Sequence, residues 1–136
     1  MTIPGDVARI VRQRAGNRCE YCRMHQSLQG ATFHIEHVVP ISRGGDSTLA
    51  NLALACPGCN LRKSNRIETL DPQTAESVSL FNPRRDDWQD HFHWHGYYVV
   101  ANTSVGRATV AALDFNHQRR LRIRQAEETL GLFPQP

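Results

Sequence analysis

The chain has 136 residues, 40% of them hydrophobic, and 16 Lys and Arg against 13 Asp and Glu give it a net charge of +3. That length suits one domain, residues 1–136, with a core small enough to gain from an added crosslink. No segment nears the roughly 20 apolar residues of a membrane span, and "MTIPGDVARIVRQRAG" lacks the apolar run of a signal peptide, so the expectation is a soluble cytoplasmic protein, not a membrane protein. The mild cationic excess permits a polyanionic partner without demanding one.

In chain order, "PGDVARIVRQRAG" spaces Val7, Ile10 and Val11 as a helix does, with Pro4 at its start and Gly16 after it. A turn, "NRCEYC", carries Cys19 and Cys22. "FHIEHVVPI" alternates as a strand, and Pro40 ends its regular pairing. The loop "SRGGDSTLAN" leads to a second short strand, "LALAC", and a short helix, "NLRKSNRI", starting near Cys56 and Cys59. From Glu68 the chain is rich in turn formers and is expected to wrap the surface, anchored by Leu80, Phe81 and Trp88. "FHWHGYYVVANT" predicts a strand pair bent at Gly96. "GRATVAALDFNHQRRLRIRQAEETLG" predicts one long helix, or two joined near Phe115 and Asn116.

Cys19-Glu-Tyr-Cys22 and Cys56-Pro-Gly-Cys59 are two CxxC knuckles. In a reducing compartment two such pairs favour a metal over disulfides, and four thiolates make a closed tetrahedral site with no position for water or substrate. The expected ion is a structural Zn²⁺. Ordinary buried cysteines are the bland alternative; a thioredoxin-like redox role lacks the βαβ pattern around it.

Between the knuckles lie groups suited to phosphodiester hydrolysis, which needs an activated water and a counter-charge for the leaving oxygen. His37 fits the first part and Glu36, holding a divalent cation, the second. Neighbours in a regular strand face opposite ways, so both serve one site only where the strand ends or distorts. Mg²⁺ keeps several waters and prefers oxygen ligands, and Asn60 at the head of the last short helix offers an amide oxygen beside Cys59. Asn51, in the loop, either bonds backbone groups and so orients His37 or is a turn asparagine without chemical duty. His34 shares a strand face with Glu36 but is equally well a half-exposed strand histidine.

These residues, "CEYC" followed by "IEHVVPISRGGDSTLANLALACPGCNLRK", resemble the HNH nuclease motif in its zinc-knuckle form over residues 17–66. The resemblance implies an α+β fold with a small ββα-metal core and structural zinc, elaborated by the N-terminal helix and by residues 67–136 as a strand and helix extension packing on that core. It implies His37 as general base, Glu36 and Asn60 as catalytic metal ligands, and Asn51 as the structural member of the triad. The implied activity is cleavage of DNA, with RNA not excluded, using Mg²⁺ or another divalent ion such as Mn²⁺ or Ni²⁺ and leaving a 5′-phosphate and a 3′-hydroxyl. One departure is Glu36, one methylene longer than the commoner Asp.

Arg43, Arg62, Lys63 and Arg66 are expected to ring the site and hold phosphates. His91, His93 and His95 alternate as metal ligands on a strand do, but a half-buried strand with Phe92 and Trp94 inward accounts for the pattern without metal. Arg119, Arg120, Arg122 and Arg124 either extend a DNA-binding surface or solvate a helix. Two alternatives to an endonuclease stand beside it: a zinc-stabilised nucleic-acid-binding module without turnover, and a purely structural zinc protein.

Overall fold

A computed structural model describes residues 3–134. Helix α1 spans Gly5–Ala15, buries Val11 and is closed by Gly16, whose N–H reaches the carbonyls of Arg12 and Gln13. Ile10 stays largely outside, so the apolar face of α1 is narrower than its sequence spacing predicts. Arg14 extends from the last turn to the carbonyls of Leu49 and Leu52, at 2.9 and 2.6 Å, and so fixes α1 to the start of the second strand.

Strand β1, His34–His37, pairs antiparallel with β2, Leu52–Ala55, in the register His34 to Ala55 and His37 to Leu52. The two differ in burial as their sequences dictate. β1, with Ile35 its one apolar residue, buries only the Glu36 carboxylate, whereas the continuous apolar run of β2 is buried at every position. Helix α2, Pro57–Lys63, follows directly; Cys56 caps it by accepting the Cys59 N–H on its sulfur, and Pro57 occupies the first turn, where its missing N–H costs nothing. Strand, strand and helix thus stand in the expected ββα order.

The extension is more regular than its turn-rich composition predicts. Strands β3, Glu68–Leu70, and β4, Ser77–Ser79, form a hairpin. Leu80, Phe81 and Trp88 are buried as expected. Short helix α3, Trp88–His91, then leads into the hairpin of β5, Phe92–His95, and β6, Tyr98–Ala101. His91 therefore ends a helix and does not share a strand with His93 and His95; its Nδ1 lies 2.7 Å from the Thr103 hydroxyl. The C-terminal segment is two helices, α4, Ser104–Ala112, and α5, Gln118–Thr129, parted at Leu113–His117.

One hydrophobic cluster joins Val11, Phe33 and Leu54 of the N-terminal half to Phe81, Trp88, Phe92 and Phe115 of the extension. Phe81 and Phe92 pack edge-on, with ring centroids 5.3 Å apart. A polar tie crosses the same boundary: Trp88 donates to the Tyr21 carbonyl at 2.8 Å. Others hold the extension to itself, and the Phe81 N–H reaches the Thr109 hydroxyl at 2.9 Å. Arg107 forks onto both Asp71 oxygens, at 3.0 and 2.8 Å. The Phe81 bond ties the segment after β4 to the middle of α4.

Candidate nuclease site and its sulfur centre

The four cysteines are free, buried, and gathered with all sulfurs within 4.8 Å of one another. Cys22 and Cys56 sulfurs lie 3.8 Å apart. Tetrahedral Zn–S bonds of about 2.3 Å put sulfurs about 3.8 Å from one another, so the cluster fits a four-sulfur zinc centre. Each knuckle turns its own backbone toward sulfur: the Cys22 N–H points at Cys19 Sγ and the Cys59 N–H at Cys56 Sγ. Burial pushes the Cys19 and Cys59 thiols well above their usual range, a cost that a bound cation would remove.

Above this centre β1 and α2 line an open groove of about 450 Å³ whose walls include His34, Glu36, His37, Asn60 and Ser64. The two proposed metal ligands and the proposed base thus face one space. β1 ends at His37, which frees the adjacent pair from strict alternation. Glu36 is only 7% exposed. The Tyr21 hydroxyl donates to one of its oxygens, and the Lys63 ammonium lies 3.5 Å from the other. Burial raises the Glu36 carboxyl above its ordinary value, against the opposing pull of Lys63 and Tyr21.

His37 sets its Nε2 2.9 Å from the Ser47 hydroxyl. Among the described residues its Nδ1 has no hydrogen-bond partner, which leaves that nitrogen for a water. Ser47 sits in a loop that Asn51 staples. The Asn51 side chain accepts from the Val39 N–H at 2.9 Å and donates to the carbonyls of Val39 and Asp46, at 2.9 and 2.8 Å. Its backbone carbonyl accepts from Val38. Asn51 thus bonds backbone on the strand side and the loop side at once, and reaches His37 only through the segment it fixes. Gly45 permits this closure: a Cβ there would meet the Val39 carbonyl oxygen at 1.8 Å and Asn51 Nδ2 at 2.8 Å.

The basic residues divide. Lys63 is 2% exposed and donates to the Val38 carbonyl at 2.9 Å, so it is an internal partner of Glu36 and β1, not a surface phosphate contact. Arg43 donates to the Asn65 carbonyl at 2.7 Å and ties the Gly-Gly loop to the end of α2. Arg62 lies 3.7 Å from Asp114, with Arg66 bonded to its carbonyl. Arg62 and Asp114 are more than a third exposed, which leaves that pair weak.

Residues outside the sequence-predicted set hold the site from behind. Glu20, inside the first knuckle, accepts from the Leu54 N–H at 2.8 Å and pairs with Arg84 of the extension. Arg120 donates to Cys59 Sγ at 3.2 Å. Burial disfavours its charge, yet the neighbouring Cys59, Cys22 and Cys56 sulfurs hold the guanidinium above its ordinary value. Arg124 donates to the carbonyls of Tyr97 and Phe115, at 2.9 and 2.8 Å. Of the arginine quartet on α5, two are therefore interior and only Arg119 and Arg122 face solvent. No sequence pattern marks such an inward face, because its residues are charged. Among the described residues the sulfur cluster is the only place where three or more His, Cys, Asp or Glu side chains come close enough to share an ion, and the histidines of 91–95 form no such group.

The model of the HNH endonuclease family matches residues 19–66, from the first cysteine to Arg66, and bears out the resemblance read from residues 17–66. No curated protein and no solved structure matches the chain.

Proposed function

We propose, for a chain whose residues 19–66 match the HNH endonuclease family, that it is a divalent-metal-dependent endonuclease cutting DNA phosphodiester bonds in the groove between β1 and α2. The family match supports nucleic acid as the substrate class; DNA over RNA, the metal and the products belong to the proposal. The carrying observation is that Glu36, His37 and Asn60 line one groove, over a cluster of four cysteines suited to zinc.

In this mechanism His37, in its neutral form, takes a proton from water at Nδ1 while Ser47 holds Nε2. Glu36 and Asn60 would hold the catalytic cation, Mg²⁺, Mn²⁺ or Ni²⁺, through a carboxylate and an amide oxygen, a donor set suited to a hard ion that keeps its waters. Such an ion, when bound, stabilises charge on the leaving oxygen. Tyr21 and Lys63 keep the Glu36 carboxylate in place, and Asn51 keeps the loop of Ser47. Cys19, Cys22, Cys56 and Cys59 would hold a structural Zn²⁺, bracing the first knuckle against α2. Arg43, Arg62 and Arg66 are left as candidate phosphate contacts. The extension, 67–136, and the core, 17–66, act as one unit, and the products are a 5′-phosphate and a 3′-hydroxyl.

A second function, nucleic-acid binding without turnover, draws support from the same carboxylate: both Glu36 oxygens already have protein partners. Plasmid nicking by the purified chain with Mg²⁺, Mn²⁺ or Ni²⁺ separates the two. The endonuclease gives nicked product, and His37→Ala slows it about 100-fold or more. Salt-sensitive DNA binding with no product under any ion selects the binding module, and equal rates for wild type and His37→Ala remove His37 as base.

A further inference from the structure

Helix α5 has no part in the chemistry above, yet it turns a charged face inward. Arg120, Arg124 and Glu127, at spacings of one and two helical turns, are 4%, 0% and 1% exposed. A guanidinium sealed inside a protein requires a compensating charge. Among the described residues no carboxylate forms an ion pair with Arg120; what it meets is the Cys59 sulfur, at 3.2 Å. Neutral thiols would be poor compensation. Four thiolates around a divalent ion carry excess negative charge, which is what a buried guanidinium needs.

The second knuckle is shaped for this contact. A Cβ on Gly58 would stand 2.7 Å from the Arg120 Nη2, so glycine between Pro57 and Cys59 leaves room for the guanidinium. The rest of the stripe fixes the helix. Glu127 accepts the His25 N–H at 2.6 Å, just beyond the first knuckle, and Arg124 holds the carbonyls of Tyr97 and Phe115. One helix face therefore touches the second knuckle and the backbone three residues beyond the first.

We propose that α5 is the outer shell of the sulfur centre and that Arg120 is its positioning residue, donating to the Cys59 thiolate and restraining both its reactivity and the loss of the metal. An N–H bond to a thiolate draws electron density off sulfur and makes it a poorer nucleophile toward alkylating agents and oxidants. This inference rests on the zinc assignment.

The test uses the full chain as wild type, Arg120→Met, Gly58→Ala and, as a control on the exposed face, Arg119→Met. Zinc content is measured first, then the rate of zinc transfer to a chromogenic chelator, the site of first alkylation by iodoacetamide, and the absorption of the cobalt-substituted proteins. Arg120→Met is expected to release zinc about 10–100-fold faster, a span typical of lost outer-shell partners. Alkylation then begins at Cys59, and the sulfur-to-cobalt band moves to lower energy. Gly58→Ala, which displaces the guanidinium without deleting it, changes rate and band in the same direction, and Arg119→Met matches wild type. A folded Arg120→Met with wild-type release and an unshifted band overturns the proposal. If Arg120→Met does not fold, Gly58→Ala decides by the same two readouts. Wild-type protein that holds neither zinc nor cobalt sinks the zinc assignment and this proposal together, an outcome distinct from equal release rates.

Discussion

The Tyr21 hydroxyl, from inside the first cysteine knuckle, donates a hydrogen bond to the Glu36 carboxylate at the groove. A residue between two of the clustered cysteines thus sets the position of a proposed catalytic ligand, with no chain of intermediates. Tyr21 is fully buried, so nothing but its partners fixes its ring.

Tyr21→Phe removes that bond and little else. The buried carboxylate loses one donor, which costs about 1–3 kcal/mol of folding stability by urea denaturation. Zinc content stays at the wild-type level while plasmid nicking falls about tenfold or more. An unchanged nicking rate would show that Glu36 needs no help from the knuckle.

Lys63→Met separates an interior lysine from a phosphate contact. Removing the ammonium leaves Glu36 buried without its cation, and stability is expected to drop by about 2–4 kcal/mol. A surface contact would instead leave the melting temperature unchanged and flatten the salt dependence of DNA binding by about one charge. The two measurements together, thermal melting and binding against salt, distinguish them.

Asp71 gives the fold a defined acid limb. The Arg107 fork, helped by the Gln73 N–H and the Thr74 hydroxyl and opposed by burial, holds its carboxyl at about 2. An unfolded aspartate titrates near ~3.9. The stabilisation is therefore complete above that value and is lost as pH falls through about 2. Asp71→Asn should melt below wild type at neutral pH, with the gap closing between about pH 4 and pH 2. A gap constant down to pH 2 contradicts the assignment.

The groove was legible in the chain because its parts are close in sequence and each carries a local signature. The two knuckles, the strand ending near Pro40, the Gly-Gly loop and the short helix after Cys56 follow from spacing and turn chemistry, and Glu36, His37 and Asn60 come to the same groove. What escaped is tertiary. Lys63 reads as a surface cation until β1 is laid across α2. Arg120, Arg124 and Glu127 carry no hydrophobic period, and it is the Cys59 sulfur, the Tyr97 and Phe115 carbonyls and the His25 N–H that explain why a helix would bury them. The β3 and β4 hairpin hides in a turn-rich segment because three-residue strands are too short to show alternation.

The distribution of these contacts along the chain sets an order of events during synthesis. Residues 34–63 supply the groove from close neighbours, but Arg120, which reaches the Cys59 sulfur, and Glu127, which holds the His25 N–H, lie far downstream. A chain leaving the ribosome therefore presents its four thiols without the Arg120 contact from the time Cys59 emerges until α5 has been made and has docked. Metal capture and oxidation compete in that interval, so the yield of sound protein should depend on zinc supply while translation is under way.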